Sequence, residues 1–149
     1  MAAHSDAEHF AHLERLYRAA PTNAYYRPEI RIGPGSAEIR LAIRPDFHHA
    51  MQAAHGSVYF KLLDDAGYFA VNSLVTDTFV LTTSFTIYFL RPVSEGIVTA
   101  RGRVLHPGRR TFLAEARLEG PDGHLLGHGT GEYARARTPI PGPPGTGEA

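Results

Sequence analysis

The sequence predicts an α+β domain in which one mainly antiparallel sheet packs against a long apolar helix. Two observations lead to this prediction. The run from His55 to Ser73 has the pattern of a helix that is apolar around most of its circumference. Two strand-like runs precede this helix and four follow it. With 149 residues the chain is long enough for one domain with a sizeable core, which we place at residues 1–137.

A short helix and a hairpin come first along the chain. A capping-box spacing that begins at Ser5 predicts a helix over residues 5–19. We expect a connector over residues 21–28, because a proline stands at each end of it. Alternating polar and apolar residues then predict a hairpin with strands at residues 29–32 and 37–44.

A polar, histidine-bearing loop leads into the central helix, and four extended runs after the helix predict the remaining strands. They are rich in residues that favour strands, and turn signals separate them. The four runs cover residues 78–91, 97–105, 111–118 and 125–136. Residues 138–149 are rich in Pro and Gly and poor in large apolar groups, which predicts a disordered tail.

The composition excludes several classes of function. The formal net charge is +0, with 15 basic and 15 acidic residues, so nothing favours nucleic acid or an anionic membrane as a partner. The absence of cysteine excludes disulfides, thiolate nucleophiles and zinc–thiolate sites. No apolar stretch approaches the roughly 18 residues that span a bilayer. The first residues lack the pattern of a signal peptide, so we expect a cytoplasmic protein.

Two adjacent acids in the middle of the apolar helix are the strongest functional signal. A carboxylate stripped of water is destabilised or shifts its pKa, so a buried acid needs a partner or has a function. Asp64 and Asp65 lie at opposite rims of the polar sector of the helix. In the simpler alternative, Lys61 forms an ion pair with one of them at i+3 or i+4. The helical pattern leaves open which acid is functional.

The start of this helix supplies a second signal. The first N–H groups, near Gly56 and Ser57, carry a partial positive charge that can polarise a carbonyl oxygen. Asp64 follows Gly56 by eight residues, which is about 12 Å along a helix axis. To act together, a carboxylate and an oxyanion donor must both lie within ~3 Å of one reacting centre. If this helix is catalytic, the active unit is therefore a dimer with antiparallel helices.

Several motifs occur in an order and spacing typical of one family. A His-Gly motif is followed by an acid nine residues after the histidine, and a later strand runs into an Arg-Pro exit turn. The matching segments are residues 55–57 with Asp64, residues 72–73, residues 81–92 with Gly96, residues 108–111 and residues 122–130. Over roughly residues 28–136 the chain resembles the PaaI-like branch of the hotdog-fold acyl-CoA thioesterases.

The resemblance implies a hotdog fold, in which an antiparallel sheet wraps around a long central helix. It also implies assembly into homodimers and often into dimers of dimers, with an acyl-CoA as substrate and no cofactor. By resemblance, the backbone N–H of Gly56 polarises the thioester carbonyl, and the partner subunit's Asp64 acts as nucleophile or general base. Thr82, eighteen residues after Asp64, matches a residue that orients the attacking water.

Two residues depart from the family pattern. Ser57 stands in place of a second glycine and adds a hydroxyl at the start of the helix, where it can contact substrate. His49 stands where family members often have Asn, six residues before the motif histidine. A histidine can donate a hydrogen bond as Asn does, or act as a base near neutral pH. We expect the motif histidine, His55, mainly to shape the turn through hydrogen bonds.

Arginines at two places are candidates for binding the phosphates of CoA, because guanidinium groups suit phosphate recognition. Arg109 and Arg110 stand in a predicted turn whose family counterpart lies near the CoA nucleotide, and Arg91 precedes the exit turn. Ordinary exposed arginines are the alternative. The loop histidines lack ligand spacing with a supporting acid, so we predict no metal site.

We therefore expect hydrolysis of an acyl-CoA thioester to a free acid and CoA. Two alternatives stay open. One is a non-catalytic hotdog protein that binds an acyl ligand, which His49 in place of Asn favours. The other is a dehydratase or hydratase for hydroxyacyl thioesters, whose usual motifs we do not find. Tyr59, Phe60, Tyr68 and Phe69 either line a pocket for an aromatic or medium-chain acyl group or belong to the core.

Overall fold

The computed structural model describes residues 2–142, with the side chains of residues 6–142, and confirms the predicted order of one sheet and a long central helix. A single 3-10 turn, Pro45–Phe47, interrupts the loop before the central helix. The elements are α1 (Ala2–Ala19), α2 (Pro21–Tyr26), β1 (Glu29–Gly33), β2 (Ser36–Ile43), α3 (Gly56–Asn72), β3 (Thr78–Phe89), β4 (Gly96–Pro107), β5 (Thr111–Glu119) and β6 (Leu125–Pro139).

The six strands form one antiparallel sheet in the order β1-β2-β4-β5-β6-β3. Because β6 is the one described strand that pairs with β3, β3 is an edge strand, and it is also one of the longest at 12 residues. The core lies between α3 and the sheet, where Leu62, Leu63 and Ala66 are fully buried on the helix. The alternating burial along β2, β4 and β5 matches this one-sided packing.

A glycine allows α3 to approach the sheet closely. A Cβ atom at Gly102 on β4 would lie 2.3 Å from the carbonyl oxygen of Ala66 in α3. Backbone atoms of a helix cannot move aside as a flexible side chain can, so any larger residue at this position pushes the helix away from the sheet. The spacing between α3 and β4 therefore depends on this residue.

Asn72 connects the end of α3 to the start of β3. Its buried side chain donates to the carbonyl oxygens of Val75 at 3.0 Å and Thr78 at 3.1 Å. Its Oδ1 accepts the N–H of Val80 at 3.3 Å. These bonds set where β3 begins relative to the helix, and so they position the β3 residues that face α3.

The N-terminal region differs from the prediction in two ways. Helix α1 begins at Ala2, so Ser5 lies inside the helix and the predicted capping position is wrong. The predicted connector contains the short helix α2, with Pro21 in its first turn. Proline suits that position because its fixed φ is helical and its missing N–H would have had no acceptor. A proline at each end of the segment indicated a connector, and so the sequence pattern did not predict this helix.

The C-terminal strand runs further than predicted. Strand β6 ends at Pro139, two residues beyond the predicted domain boundary and inside the segment predicted as a disordered tail. The next residue, Ile140, donates its N–H to the carbonyl oxygen of Asp77 at 3.1 Å and packs against the core. Residues 143–149 of the predicted tail lie outside the described residues. Among the described helices, none is both long and apolar enough to cross a membrane.

Replacing Gly102 by Ala should destabilise the protein by roughly 1–3 kcal/mol, as expected when extra volume is forced into a close contact. Thermal or urea unfolding measures this loss. Gly120→Ala is the matched control, because a Cβ there approaches only side-chain atoms, at 3.1 Å or more. Equal stability of the two variants would contradict the inference that Gly102 sets the distance between helix and sheet.

Candidate active site

The two adjacent acids of α3 have different partners. Asp65 accepts hydrogen bonds at Oδ2 from Lys61 Nζ and from the hydroxyl of Tyr17, each at 2.8 Å. Burial, followed by the nearby Asp65 carboxylate, raises the pKa of Tyr17, so its hydroxyl stays protonated and remains a donor. Of the two ion pairs that the sequence allowed for Lys61, the structure therefore contains the i+4 pair with Asp65, and the two charges compensate each other. Asp65 has a structural role.

Asp64, in contrast, is held by hydroxyl groups. Its Oδ1 accepts hydrogen bonds from Thr82 Oγ1 at 2.9 Å and from the hydroxyl of Tyr133 at 3.3 Å. No ion pair to this carboxylate forms among the described residues. Burial raises the pKa of Asp64, and the hydrogen bond from Thr82 opposes that rise. A half-buried carboxylate with a raised pKa, whose Oδ2 accepts no hydrogen bond from any described residue, has the properties of a general base.

Sequence reasoning missed Tyr133, which lies on β6 directly opposite Thr82 of β3. Its side chain is completely buried. A Cβ atom at Gly67 would lie 2.5 Å from the Tyr133 hydroxyl oxygen, and one at Gly131 would lie 2.7 Å from it. Both glycines therefore make room for this hydroxyl. Glycine inside an apolar helix, which is unfavourable by about 1 kcal/mol relative to Ala, was the signal in the sequence.

Asp64 faces a cavity of about 410 Å³ between α3, β3 and the two N-terminal helices. The walls combine apolar and aromatic side chains with a few polar groups. They are Leu16, Tyr17, Ala20, Thr22, Asn23, Lys61, Asp64, Asp65, Tyr68, Phe69, Phe79 and Thr82. Such a cavity suits an apolar group next to a reacting centre. Of the four aromatic residues singled out in the sequence, Tyr68 and Phe69 belong to this cavity.

At the start of α3, Gly56 has the free backbone donor. The side chain of His55 caps the helix, because its Nδ1 accepts the N–H of Ser57 at 3.0 Å and lies 2.8 Å from the Ser57 hydroxyl. The N–H and hydroxyl of Ser57 are therefore engaged in the turn. The N–H of Gly56 has no acceptor within the described part of the chain. A single amide donor at the positive end of the helix remains available.

Gly56 lies in a second cavity of about 600 Å³, which shares no residue with the first. It is lined by His49, Ala54, His55, Gly56, Tyr59, Phe89, Leu90, Arg91 and Pro92. The rings of His49 and His55 are 6.5 Å apart. Nδ1 of His49 accepts the N–H of Met51 at 3.0 Å, so the neutral ring carries its proton on Nε2. His49 can thus present an N–H donor near Gly56.

The predicted arginines separate into two places. Arg91 lines the cavity that contains Gly56, and its Nη1 lies 3.0 Å from Nδ1 of His124. Arg109 and Arg110 lie in the turn between β4 and β5 and line neither of the two cavities. The carbonyl oxygen of Arg109 accepts a hydrogen bond from Arg135 Nε at 2.8 Å. Of the three arginines, Arg91 is therefore the one that shares a cavity with other predicted site residues in the described part of the chain.

Both cavities adjoin the edge strand β3. Thr82 of this strand contacts Asp64, and the ring of Phe89 would lie 2.9 Å from a Cβ atom at Gly56. Between these contacts Phe60 of α3, 42% exposed, packs edge-on against Phe85 of β3 with ring centroids 5.4 Å apart. The donor at the start of α3 and the carboxylate in its middle thus each lie against the same exposed strand.

Residues 51–126, just over half of the chain, match the sequence profile described as the thioesterase superfamily. The chain belongs to the thioesterase superfamily. At the level of this family its activity is thioester hydrolysis. A Saccharolobus solfataricus protein that carries the provisional name of esterase is 24% identical over 111 residues, which cover 74% of this chain and 79% of that protein.

Solved structures show that this superfamily member has the predicted hotdog fold. The Escherichia coli PaaI protein, from the phenylacetic acid degradation operon, superposes with a TM-score of 0.82 at 24% identity over 92% of this chain and 98% of that chain. A conserved Pseudomonas aeruginosa protein gives 0.77 at 28% identity, covering 82% and 98%. A thioesterase from Haemophilus influenzae gives 0.77 at 19% identity, covering 85% and 90%.

Replacing Asp64 by Asn should raise the melting temperature of this thioesterase-superfamily protein near neutral pH. Burial raises the folded-state pKa of Asp64 above its unfolded value. The carboxyl therefore favours folding only while it is protonated, and this contribution is lost as the pH rises through the folded pKa. An Asn carbonyl can keep the hydroxyl donors without ionising.

Melting temperatures of the wild type and Asp64→Asn, measured from acidic to neutral pH, test this expectation. The advantage of the variant should shrink toward acidic pH, where the wild-type carboxyl is protonated. An Asp64→Asn protein that is no more stable than the wild type at neutral pH would show that burial of the ionised Asp64 carboxylate does not destabilise the folded protein.

Proposed function

We propose that this protein is an acyl-CoA thioesterase that hydrolyses aryl, short-chain or medium-chain acyl-CoA to the free acid and CoA. In this proposal Asp64 of one subunit and the Gly56 N–H of the other act on the same thioester carbonyl. The main support is the placement of these two groups at the start and in the middle of α3, in separate cavities beside one edge strand. About 12 Å of helix separates them, too far for one carbonyl to reach both within a chain.

The exposed edge of β3 favours a dimer formed through this strand. An unpaired edge strand presents free N–H and C=O groups to another chain. Leu81, Tyr88 and Phe89 on or at the end of this strand are 57%, 59% and 56% exposed. Burying such side chains removes apolar area from water and stabilises association. We propose a homodimer through this edge, with a dimer of dimers as the larger assembly.

The contacts of β3 also define the register of this proposed pairing. Thr82 adjoins Asp64, and Phe89 adjoins Gly56. If two β3 strands pair antiparallel with the two-fold axis between residues 85 and 86, Thr82 lies opposite the partner's Phe89. The same axis passes close to Phe60, which is midway between Gly56 and Asp64 on α3 and packs against Phe85. One axis therefore brings both composite sites together.

In the proposed reaction the Gly56 N–H, together with Nε2–H of His49, polarises the thioester carbonyl. Asp64 Oδ2, which neither Thr82 nor Tyr133 occupies, takes a proton from water as the water oxygen adds to the carbonyl carbon. The carbon–sulfur bond then breaks, and the proton passes from Asp64 to the departing CoA sulfur. Products are one acid and one thiol.

The two cavities divide the substrate between them in this proposal. The aromatic and apolar walls around Asp64 suit the acyl group, whereas the cavity around Gly56 is bordered by Arg91, which suits a CoA phosphate. Arg109 and Arg110 lie outside both cavities of one chain, and they reach the nucleotide only if the partner subunit presents them.

Replacing Asp64 by Asn should lower kcat for acyl-CoA hydrolysis by at least roughly a hundredfold, because it removes the base while keeping the shape of the site. Release of CoA thiol from aryl, short-chain and medium-chain esters measures this loss. The variant should remain folded and dimeric by circular dichroism and size exclusion. Undiminished turnover would reject Asp64 as the base. A wild-type protein that binds these esters without releasing thiol would be the non-catalytic acyl-binding protein.

Mixed dimers test whether the site is shared between chains. Gly56→Pro removes the proposed N–H donor at the first helical position, where proline fits. The preceding residue, His55, already has the extended φ of −62° and ψ of 147° that proline requires. A dimer of one Asp64→Asn chain and one Gly56→Pro chain keeps one intact composite site. Randomly mixed chains should therefore recover about a quarter of wild-type activity.

Differently tagged chains, expressed together and purified through both tags, supply the mixed dimer free of the two parents, and it should therefore show about half of wild-type activity. Gly56→Ala is the matched variant, since it keeps the N–H and makes a similar contact with Phe89. It should be more active than Gly56→Pro. If mixed dimers are as inactive as the two parents, the donor and the base belong to one chain and the shared site is wrong.

A further inference from the structure

Tyr133 donates to the proposed catalytic carboxylate from a place that no part of the family motif occupies. Its hydroxyl lies 3.3 Å from Asp64 Oδ1 and 3.3 Å from the backbone carbonyl oxygen of the same residue. Resting on the proposed function, we infer that Tyr133 is a positioning residue: it holds Oδ1 together with Thr82, so that Oδ2 faces the acyl cavity. Tyr133 itself does not contact substrate in this scheme, since it does not line the cavity.

The fold builds this contact from three elements. Strand register sets Tyr133 of β6 beside Thr82 of β3, so two adjacent strands direct two hydroxyl groups at one carboxylate oxygen. The helix that carries Asp64 has Gly67 where the Tyr133 hydroxyl passes, and Gly131 on β6 gives clearance from the other side. Each glycine accommodates the hydroxyl oxygen, and an added Cβ would meet it at 2.5 Å or 2.7 Å.

The hydroxyl of Tyr133 also affects the pKa of Asp64. Burial raises the pKa of Asp64, and Asp65 on the same helix raises it further, while Thr82, Tyr133 and Lys61 lower it. Burial, followed by the nearby Asp64 carboxylate, raises the pKa of Tyr133, so the phenol remains a protonated donor. Tyr68 also faces this group, but its hydroxyl forms no hydrogen bond to Asp64. Donation from Tyr133 therefore favours the ionised base over the protonated acid.

Tyr133→Phe tests this role, because it removes the hydroxyl and keeps the buried ring. A hydrogen bond to a charged group is strong enough to predict a roughly ten- to hundredfold fall in kcat/KM at neutral pH. The acidic limb of the pH profile should also move to higher pH, which a general loss of packing would not cause. Gly67→Ala should produce the same shift, since its Cβ displaces the hydroxyl.

Tyr25→Phe is the matched control. Tyr25 also donates to a backbone oxygen, that of Asp46 at 3.2 Å, but it lies outside both cavities. This variant should keep the wild-type kcat/KM and pH profile. Thr82→Val combined with Tyr133→Phe should show coupling, because both donors act on one oxygen. A Tyr133→Phe enzyme with an unchanged acidic limb would overturn the role of Tyr133.

A second measurement does not depend on activity. Carbon NMR of protein labelled at the aspartate carboxyl carbons follows the titration of Asp64, with Asp64→Asn giving the assignment. Tyr133→Phe should raise the titration midpoint of Asp64, and Tyr25→Phe should leave it in place. An unchanged midpoint in Tyr133→Phe contradicts the positioning role even if the protein hydrolyses thioesters. A raised midpoint in a protein that hydrolyses no thioester would support this contact and reject the proposed function alone.

Discussion

The burial of one carboxylate to which no cation of the described residues bonds is the constraint on which this structure depends. Loss of water raises the pKa of Asp64. Hydroxyl groups, instead of a lysine or an arginine, donate the hydrogen bonds that stabilise its carboxylate. The neighbouring Asp65 shows the alternative, in which Lys61 compensates the charge directly. A cation bonded to Asp64 would lower its basicity further. Donors confined to one oxygen leave the charge and the other oxygen available for chemistry.

Several residues that are unfavourable on local grounds are explained by this contact. Gly67 lies in the interior of a helix, and Gly131 lies in a strand, where glycine weakens both elements. Each makes room for the hydroxyl of Tyr133. The side chain of Asn72 is fully buried, and its hydrogen bonds fix where β3 begins. Thr82 of this strand then donates to Asp64. At these positions the residues are unfavourable for the local secondary structure or for burial, but they help to place one carboxylate. Such exceptions are common at functional sites.

The length of α3 and the exposure of β3 belong to the same arrangement. A helix long enough to fill the core separates its polar start, at Gly56, from the acid in its middle. In the proposed function this separation gives each chain two half-sites, and both lie along β3, one of the two edge strands of the sheet. Under the proposed dimer, one symmetry axis through this edge completes two sites at once, so assembly and activity share a single surface.

The sequence by itself determined the α+β class, the central helix and the order of the strands along the chain, and it located the acid pair in the helix, because these follow from hydrophobic periodicity and spacing. The tertiary structure decided which acid is compensated, since the hydrogen bonds of Tyr17 and Lys61 go to Asp65. It also decided that Tyr133 reaches Asp64 and that β6 continues past the predicted tail boundary. Those outcomes depend on contacts between residues far apart in the chain, and local sequence patterns do not predict such contacts.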